Sequence, residues 1–194
     1  MNEKPILFNS EMVNAILSGR KTMTRRIISE KTLHLFGVAA GAGECHPLEL
    51  CDERSQSYYL EFCPLGKPGD QLWVREAFAA GLCTESTLAY RATHKTEDLE
   101  EGWGETIKWT PSIHMPRWAS RINLLITGVR VERLNTISTG DAMAEGYPAG
   151  REATGGPLDA WLWFRELWDG IYPDNTFEVN PWCWVIEFER MEAK

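Results

Sequence analysis

The sequence has no apolar run long enough to cross a membrane, and its first ten residues, MNEKPILFNS, lack the apolar segment of a secretory signal. Cysteine is also sparse. The five Cys residues are odd in number and irregularly spaced, which argues against a disulfide framework. These absences lead us to expect a cytoplasmic protein with free thiols and no membrane partner.

Basic residues are fewer than acidic ones, and the 194 residues carry a formal net charge of -8. A protein that binds nucleic acid through an overall positive field is therefore excluded, and any contact with RNA or DNA must come from a local basic groove. The hydrophobic fraction of 43% and the charged fraction of 25% are those of a globular protein. The length suits one domain, 1–194. Tryptophan is abundant, and nine Trp residues supply either an aromatic core or exposed stacking surfaces.

Hydrophobic periodicity indicates helices separated by strands. The predicted helices span 9–19, 138–145 and 157–172; Asn9 or Ser10 can cap the first, and Gly19 sits where a helix usually ends. The predicted strands span 71–76, 88–92, 121–134 and 182–190, with a break near Gly128 in the third. Residues 30–68 and 93–120 lack clear periodicity, and we expect them to be irregular insertions, with a short strand at SYYLEF in the first. This pattern predicts an α+β domain built round a small, strongly curved sheet or barrel with short flanking helices.

The stretch GRKTMTRR, residues 19–26, reverses the sign of the chain's charge where the first helix ends. Its cations are Arg20, Lys21, Arg25 and Arg26. In one interpretation these side chains offset the carbonyl end of the helix and stay in water. In the other they line a site for a nucleoside or a nucleic acid. Composition and spacing leave both interpretations open.

The spacing GxKxxTxR in this stretch resembles the GxKxxExR signature of the ASCH domain family, a branch of the PUA-like barrels, with Thr24 in the Glu position. The form GRKTxTxR is similar to the small ASCH proteins that act as N(4)-acetylcytidine amidohydrolases. This resemblance implies a PUA-like barrel and makes Lys21 and Thr24 catalytic, assisted by Glu145 in DAMAEG. The segments GDxLWVRE, PSIHMPRWASRI and ITGVRVERL are similar to larger ASCH-like proteins of bacteriophages and prophages.

The implied reaction is hydrolysis of an acyl amide on a cytosine-type base, without a cofactor. Lys21 would act as the base, Thr24 as the nucleophile, and Glu145 as a binding or acid residue. A regular strand points residues 21 and 24 to opposite faces, so the chain must turn or bulge between them. We then expect Lys21 to contact Glu145, and Lys21→Ala to abolish activity with little change in melting temperature. Two alternatives remain: a non-catalytic module that binds RNA or modified DNA, and a ribonuclease. No protein partner is indicated.

A second group of candidate binding residues combines cations with aromatic rings, the types that hold phosphates and bases. It comprises His114, Arg117, Trp118 and Arg121 in PSIHMPRWASR, with Trp73 and Arg75 in GDQLWVREAF. The alternative is a structural loop pinned by Met115 and Trp118. Arg75 and Glu76 point to opposite faces of a strand, so at most one of them lines a pocket.

Potential zinc ligands also occur close together in the sequence, at Cys45, His46, Cys51 and Cys63. Their spacing matches no compact zinc finger, and the adjacent Cys45 and His46 would struggle to reach one ion together. Buried thiols are the simpler interpretation. We expect no metal site.

Overall fold

The structure is a computed structural model that describes residues 2–50, 52–81, 87–103 and 106–192. The strands are β1 (Glu3–Leu7), β2 (Met23–Ile27), β3 (Gln71–Arg75), β4 (Phe78–Ala80), β5 (Leu88–Tyr90), β6 (Asn123–Arg133) and β7 (Trp182–Arg190). The helices are α1 (Ser10–Leu17), α2 (Glu30–Gly41), α3 (Glu53–Leu60), α4 (Thr96–Trp103), α5 (Thr139–Ala144), α6 (Ala149–Glu152) and α7 (Asp159–Ile171). The predicted α+β class is confirmed.

Five strands form the main sheet, in the order β1-β3-β6-β7-β2. β1 runs parallel to β3, and the other neighbours are antiparallel. The register of β6 against β7 shifts between Ile126 and Gly128, which is the predicted break in this long strand. A bulge of this kind bends a strand and increases its twist.

The two edge strands of this sheet approach each other without pairing. Among the described residues no ladder joins β1 to β2, so backbone hydrogen bonds do not close the sheet into a barrel. A side chain spans the gap instead, because Arg26 on β2 donates from Nη2 to the carbonyl oxygen of Leu7 on β1 at 2.9 Å. The sheet is therefore curved enough to bring its edges within the reach of one arginine.

Helix α1 forms where its end signals predicted it. The Asn9 side chain accepts a hydrogen bond from the backbone N–H of Met12 at 2.8 Å, which satisfies one of the free donors at the helix start. Val13 and Ile16 are buried in the core. Gly19 has a φ of +76°, the left-handed conformation that commonly ends a helix. The basic stretch leaves α1 at this residue and leads into β2.

The expectation that 30–68 and 93–120 are irregular is wrong for much of both ranges. The first contains α2 and α3, and SYYLEF lies in and just after α3 instead of forming a strand. Ser29 and Asp52 cap these helices through their side chains. Phe36 and Tyr59 pack with ring centroids 4.7 Å apart. The second range contains α4 and short 3-10 turns at 112–114 and 117–119.

Most of the described Trp side chains contribute to the core. Trp182 and Trp184 on β7 and Trp168 on α7 are buried, whereas Trp118 is 66% exposed. Helix α7 packs its buried side chains against α5 and the sheet. Among the described residues, no helix has the length and apolar character needed to traverse a bilayer.

The cysteine side chains that the structure describes are free thiols. Cys45, Cys63 and Cys183 are free, and burial raises the pKa of the Cys183 thiol to about 12. The predictions for Cys51 and Cys83 lie outside the described residues. Cys63 and Cys183 are therefore buried, unreactive side chains.

Candidate functional site

Lys21 and Glu145 meet inside the protein. The Lys21 ammonium donates to the Glu145 carboxylate and to the Glu145 backbone oxygen, each at 2.8 Å. The exposed fraction is 0% for the Lys21 side chain and 4% for that of Glu145. The expected contact between these residues is present and direct. A contact of this kind is strong because water does not compete for either group.

The end of α5 determines this contact. Ser138 caps the start of the helix, and Gly146, with a φ of +105°, follows its end. A Cβ atom at residue 146 would lie 3.0 Å from the Ala15 Cβ and 3.2 Å from the Lys21 Cβ. Only glycine therefore lets the α5 end approach Lys21 this closely without strain.

The environment of Lys21 disfavours its charged form relative to that of an exposed lysine. Burial is the largest effect and lowers the Lys21 pKa from its ordinary value of 10.5. The Glu145 carboxylate opposes this shift, and the Arg26 and Arg25 guanidinium groups add to it. A lysine with a lowered pKa can accept a proton at a pH where an exposed lysine remains charged.

Thr24 shares a small cavity with Glu145. It is buried on β2 and lines a cavity of about 20 Å³ together with Glu145, Phe164 and Trp168. That volume admits about one water molecule. Lys21 precedes β2 and pairs with Glu145 as an isolated bridge, so the alternation of a regular strand does not separate Lys21 from Thr24.

Arg25 was predicted to bind the substrate, and the structure places its guanidinium in an internal network of ion pairs. Its side chain is 1% exposed, and Nη2 contacts Asp141 at 2.6 Å and Glu132 at 3.4 Å. Nη1 lies 3.4 Å from the Glu145 carboxylate. The guanidinium group is therefore held by carboxylates under α5, and the side chain also lines the small cavity with Thr24 and Glu145. Sequence analysis missed this network, which also includes Arg130.

Arg20 and Arg26 lie at cavities on either side of the Thr24 cavity. Arg20 donates to the backbone oxygen of Tyr147 at 3.0 Å and lines a cavity of about 450 Å³ with Glu145 and Trp163. Arg26 lines a cavity of about 640 Å³, and Met12 borders all three. Thr24 and Glu145 thus occupy the middle of a groove between α1, β2 and α7. Sequence analysis did not identify the α7 side of this groove.

The second group of candidates divides in two. Arg75 lines the cavity of about 640 Å³ and lies 5.0 Å above the Trp73 ring, which is itself buried. Glu76 instead forms a buried ion pair with Arg121, at 2.8 Å and 3.0 Å. Arg75 lines this cavity, whereas the Glu76 carboxylate is taken up by its ion pair. Arg121 acts as a structural partner of Glu76.

The remaining loop candidates lie at the surface, away from the Lys21–Glu145 contact. Arg117 pairs with Glu3 at 3.0 Å and bonds to Asn123 at 2.9 Å. His114 and Trp118 are exposed, so Trp118 does not pin the loop. Met115 does, because its side chain is fully buried. None of the three surface residues lines the groove.

No group of ligating side chains suited to a metal ion occurs in the described part of the chain. His46 pairs with Asp52 at 3.2 Å, and Cys63 is buried. Cys51 lies outside the described residues. The described members of the cluster of potential zinc ligands therefore do not form a metal site.

Comparison with known proteins gives a loose structural likeness. No protein-family model matches the chain, and no curated protein matches it. An ASCH domain structure from Lactobacillus crispatus is 12% identical, with a TM-score of 0.44, over 97% of this chain and 79% of that one. A protein from Enterococcus faecalis labelled DUF984 is 11% identical, with a TM-score of 0.43, over 98% of this chain and 80% of that one. At these values the chain resembles both structures in its overall course, which establishes neither a shared activity nor a shared ligand.

Proposed function

We propose that the protein hydrolyses an acyl amide on the exocyclic nitrogen of a cytosine-type base. The observation that carries this proposal is the buried contact between Lys21 and Glu145, 2.8 Å long, beside a cavity that Thr24 lines. A hydroxyl nucleophile needs a nearby base, and a lysine serves as one when burial lowers its pKa. The motif GRKTMTRR supports the same roles through its resemblance to the amidohydrolases.

The reaction would proceed through an ester on Thr24. The Thr24 hydroxyl gives its proton to the neutral Lys21 amine, and its oxygen forms a bond to the acyl carbon. The carbon–nitrogen bond then breaks, and the leaving amine of the base takes a proton from the Lys21 ammonium. Water subsequently attacks the ester, releasing the carboxylic acid and restoring the Thr24 hydroxyl.

Glu145 would orient the base. Its carboxylate lines both the small cavity and the cavity that contains Arg20, so it faces the groove as well as Lys21. A carboxylate accepts a hydrogen bond from an exocyclic N–H group, which distinguishes an N(4)-substituted cytosine from bases without that donor. Nearby Trp163 provides a flat ring for stacking.

A second candidate is a binding module without chemistry, and one observation favours it. The Lys21 side chain is fully enclosed and already donates two hydrogen bonds to Glu145. In that role the pair stabilises the groove and a modified nucleoside, RNA or DNA binds over it. The two candidates differ in whether Thr24 is needed for anything beyond binding.

The test is to incubate the purified protein with N(4)-acetylcytidine and related acyl analogues and to measure release of the free base and the acid. We expect turnover that Thr24→Ala abolishes and Thr24→Ser partly retains, because serine keeps the hydroxyl. Thr22→Ala is the matched control, since Thr22 is exposed and lies two residues away. Intact binding with no turnover by the wild type would favour the binding module, and cleavage of single-stranded RNA would indicate the ribonuclease.

The pH dependence of turnover should report on Lys21. Because its pKa is lowered and the neutral amine is the active form, the rate should rise with pH along a limb centred below 10.5. Arg26→Gln removes a cation that favours the neutral amine, so the limb should move to higher pH. Arg26→Lys keeps the charge and should leave the limb almost in place. A limb that moves to lower pH in Arg26→Gln would exclude Lys21 as the base.

A further inference from the structure

The cavity of about 640 Å³ is the largest opening onto the groove. It lies between β1, the start of α1, β2 and the end of α7, and its walls are mainly apolar. Arg26 and Arg75 are the two cations among the residues that line it. No Asp or Glu lines this cavity in the described part of the chain. That composition is unusual for a protein with a net charge of -8.

The two guanidinium groups lack the carboxylate partners that other arginines of the fold have. Arg26 donates to the backbone oxygen of Leu7 at 2.9 Å, and Arg75 donates to the backbone oxygen of Met115 at 3.0 Å. Neither forms a salt bridge with any described residue. Arg121, by comparison, forms a bidentate ion pair. The positive charge in the cavity is therefore not neutralised by the protein.

Both side chains are held in place before any ligand arrives. The Arg26 guanidinium lies 5.3 Å from the centre of the Phe8 ring, and that of Arg75 lies 5.0 Å from the centre of the Trp73 ring. Leu7, which accepts the Arg26 hydrogen bond, is the register partner of Arg75 in the β1–β3 pairing. Arg26 thus donates to the residue that lies opposite Arg75 on the neighbouring strand, one inter-strand spacing away.

This cavity adjoins the small cavity at the proposed reaction site. Arg26, Ile171 and Tyr172 line both it and the small cavity that contains Thr24 and Glu145. A molecule with its base at Glu145 would therefore extend past Arg26 toward Arg75. Two fixed guanidinium groups without carboxylate partners, next to the position of the base, are suited to the phosphate of a nucleotide.

We infer that Arg26 and Arg75 form a phosphate site, so that the substrate class is an acylated cytidine nucleotide and not a free nucleoside. This inference rests on the proposed function for the position of the base. The phosphate is either the monoester of a free nucleotide or a diester within a strand. Both present the same anionic oxygens to the two guanidinium groups.

The first experiment measures binding without turnover. Titrations of cytidine, cytidine 5′-monophosphate and a short cytidine oligonucleotide, followed by calorimetry at low and high salt, compare the same base with and without phosphate. We expect a phosphorylated ligand to bind at least about tenfold more tightly than cytidine at low salt, with the advantage reduced at high salt. If the monophosphate binds more tightly than cytidine, the site accepts a free nucleotide. If only the oligonucleotide does, the phosphate belongs to a nucleic-acid strand.

Substitutions then assign this advantage to the cavity. Arg75→Gln should remove most of it, and Arg75→Lys should keep part of it because the charge remains. Arg54→Gln, which removes an exposed arginine outside the cavity, should leave it unchanged. Melting temperatures identify any variant that fails to fold. Equal affinities for cytidine and both phosphorylated ligands, or an advantage that persists in Arg75→Gln, would overturn the inference.

Turnover separates this inference from the proposed function. A higher kcat/KM for an acylated nucleotide than for the acylated nucleoside, lost in Arg75→Gln, supports both. A phosphate advantage in binding with no turnover of any acylated compound supports the phosphate site and counts against the hydrolase. Turnover of the nucleoside with no gain from phosphate supports the hydrolase and counts against the phosphate site.

Discussion

Lys21→Met should lower the free energy of unfolding by about 3–5 kcal/mol, because it removes one partner of a buried ion pair. The Glu145 side chain, 4% exposed, would lose its 2.8 Å partner. The Arg25 guanidinium lies 3.4 Å from the Glu145 carboxylate but also pairs with Asp141, so it compensates only in part for the lost ammonium. Urea unfolding followed by Trp fluorescence measures the change. This replaces the sequence-based expectation that removing the Lys21 side chain leaves the melting temperature almost intact.

The double variant Lys21→Met with Glu145→Leu is the control. Removing both charges takes away the cost of an unpaired carboxylate, so the double variant should be clearly more stable than Lys21→Met alone. Both variants should be inactive if the proposed function holds, which separates the loss of chemistry from the loss of stability. Equal stability of the single and double variants would show that the pair is not coupled as its geometry indicates.

The parts of the fold that could be predicted are those with local signals. Helix α1 has a capping Asn9 and a terminal Gly19, and β6 is interrupted near Gly128, as its glycine predicted. Helices α2 and α3 were missed although Ser29 and Asp52 cap them, because their apolar residues are weakly periodic. Their stability comes from packing of Phe36 and Tyr59, which a sequence does not display.

The candidate site was predictable only in part, for a similar reason. The resemblance to the amidohydrolases implied roles for Lys21, Thr24 and Glu145; the fold joins Lys21 to Glu145 and places Thr24 and Glu145 at one cavity. The charge pattern gave Arg25 the same predicted role as Arg26, although Arg25 forms ion pairs with carboxylates and Arg26 donates to a backbone oxygen. Adjacent residues on a strand point to opposite faces, and which face is open depends on α5 and α7, which are more than a hundred residues away.

Arg121→Ala should lower the free energy of unfolding by about 3 kcal/mol, because Glu76 would be left as a buried carboxylate without its partner. The Glu76 side chain is 2% exposed and that of Arg121 is 26% exposed, so water reaches little of this pair. The Arg121 guanidinium also lies 4.0 Å from the centre of the Tyr90 ring, and that contact would be lost. The measurement is the urea midpoint at constant m-value.

Arg117→Ala provides a matched comparison four residues away in the same loop. Its ion pair with Glu3 is exposed on both sides, so the urea midpoint should hardly change. Adding Glu76→Gln to Arg121→Ala should recover part of the lost stability, since an uncharged amide costs less to bury than a carboxylate. A loss of ligand affinity in Arg121→Ala at unchanged stability would instead show that Arg121 binds the substrate, because a structural partner of Glu76 cannot be removed without destabilising the fold.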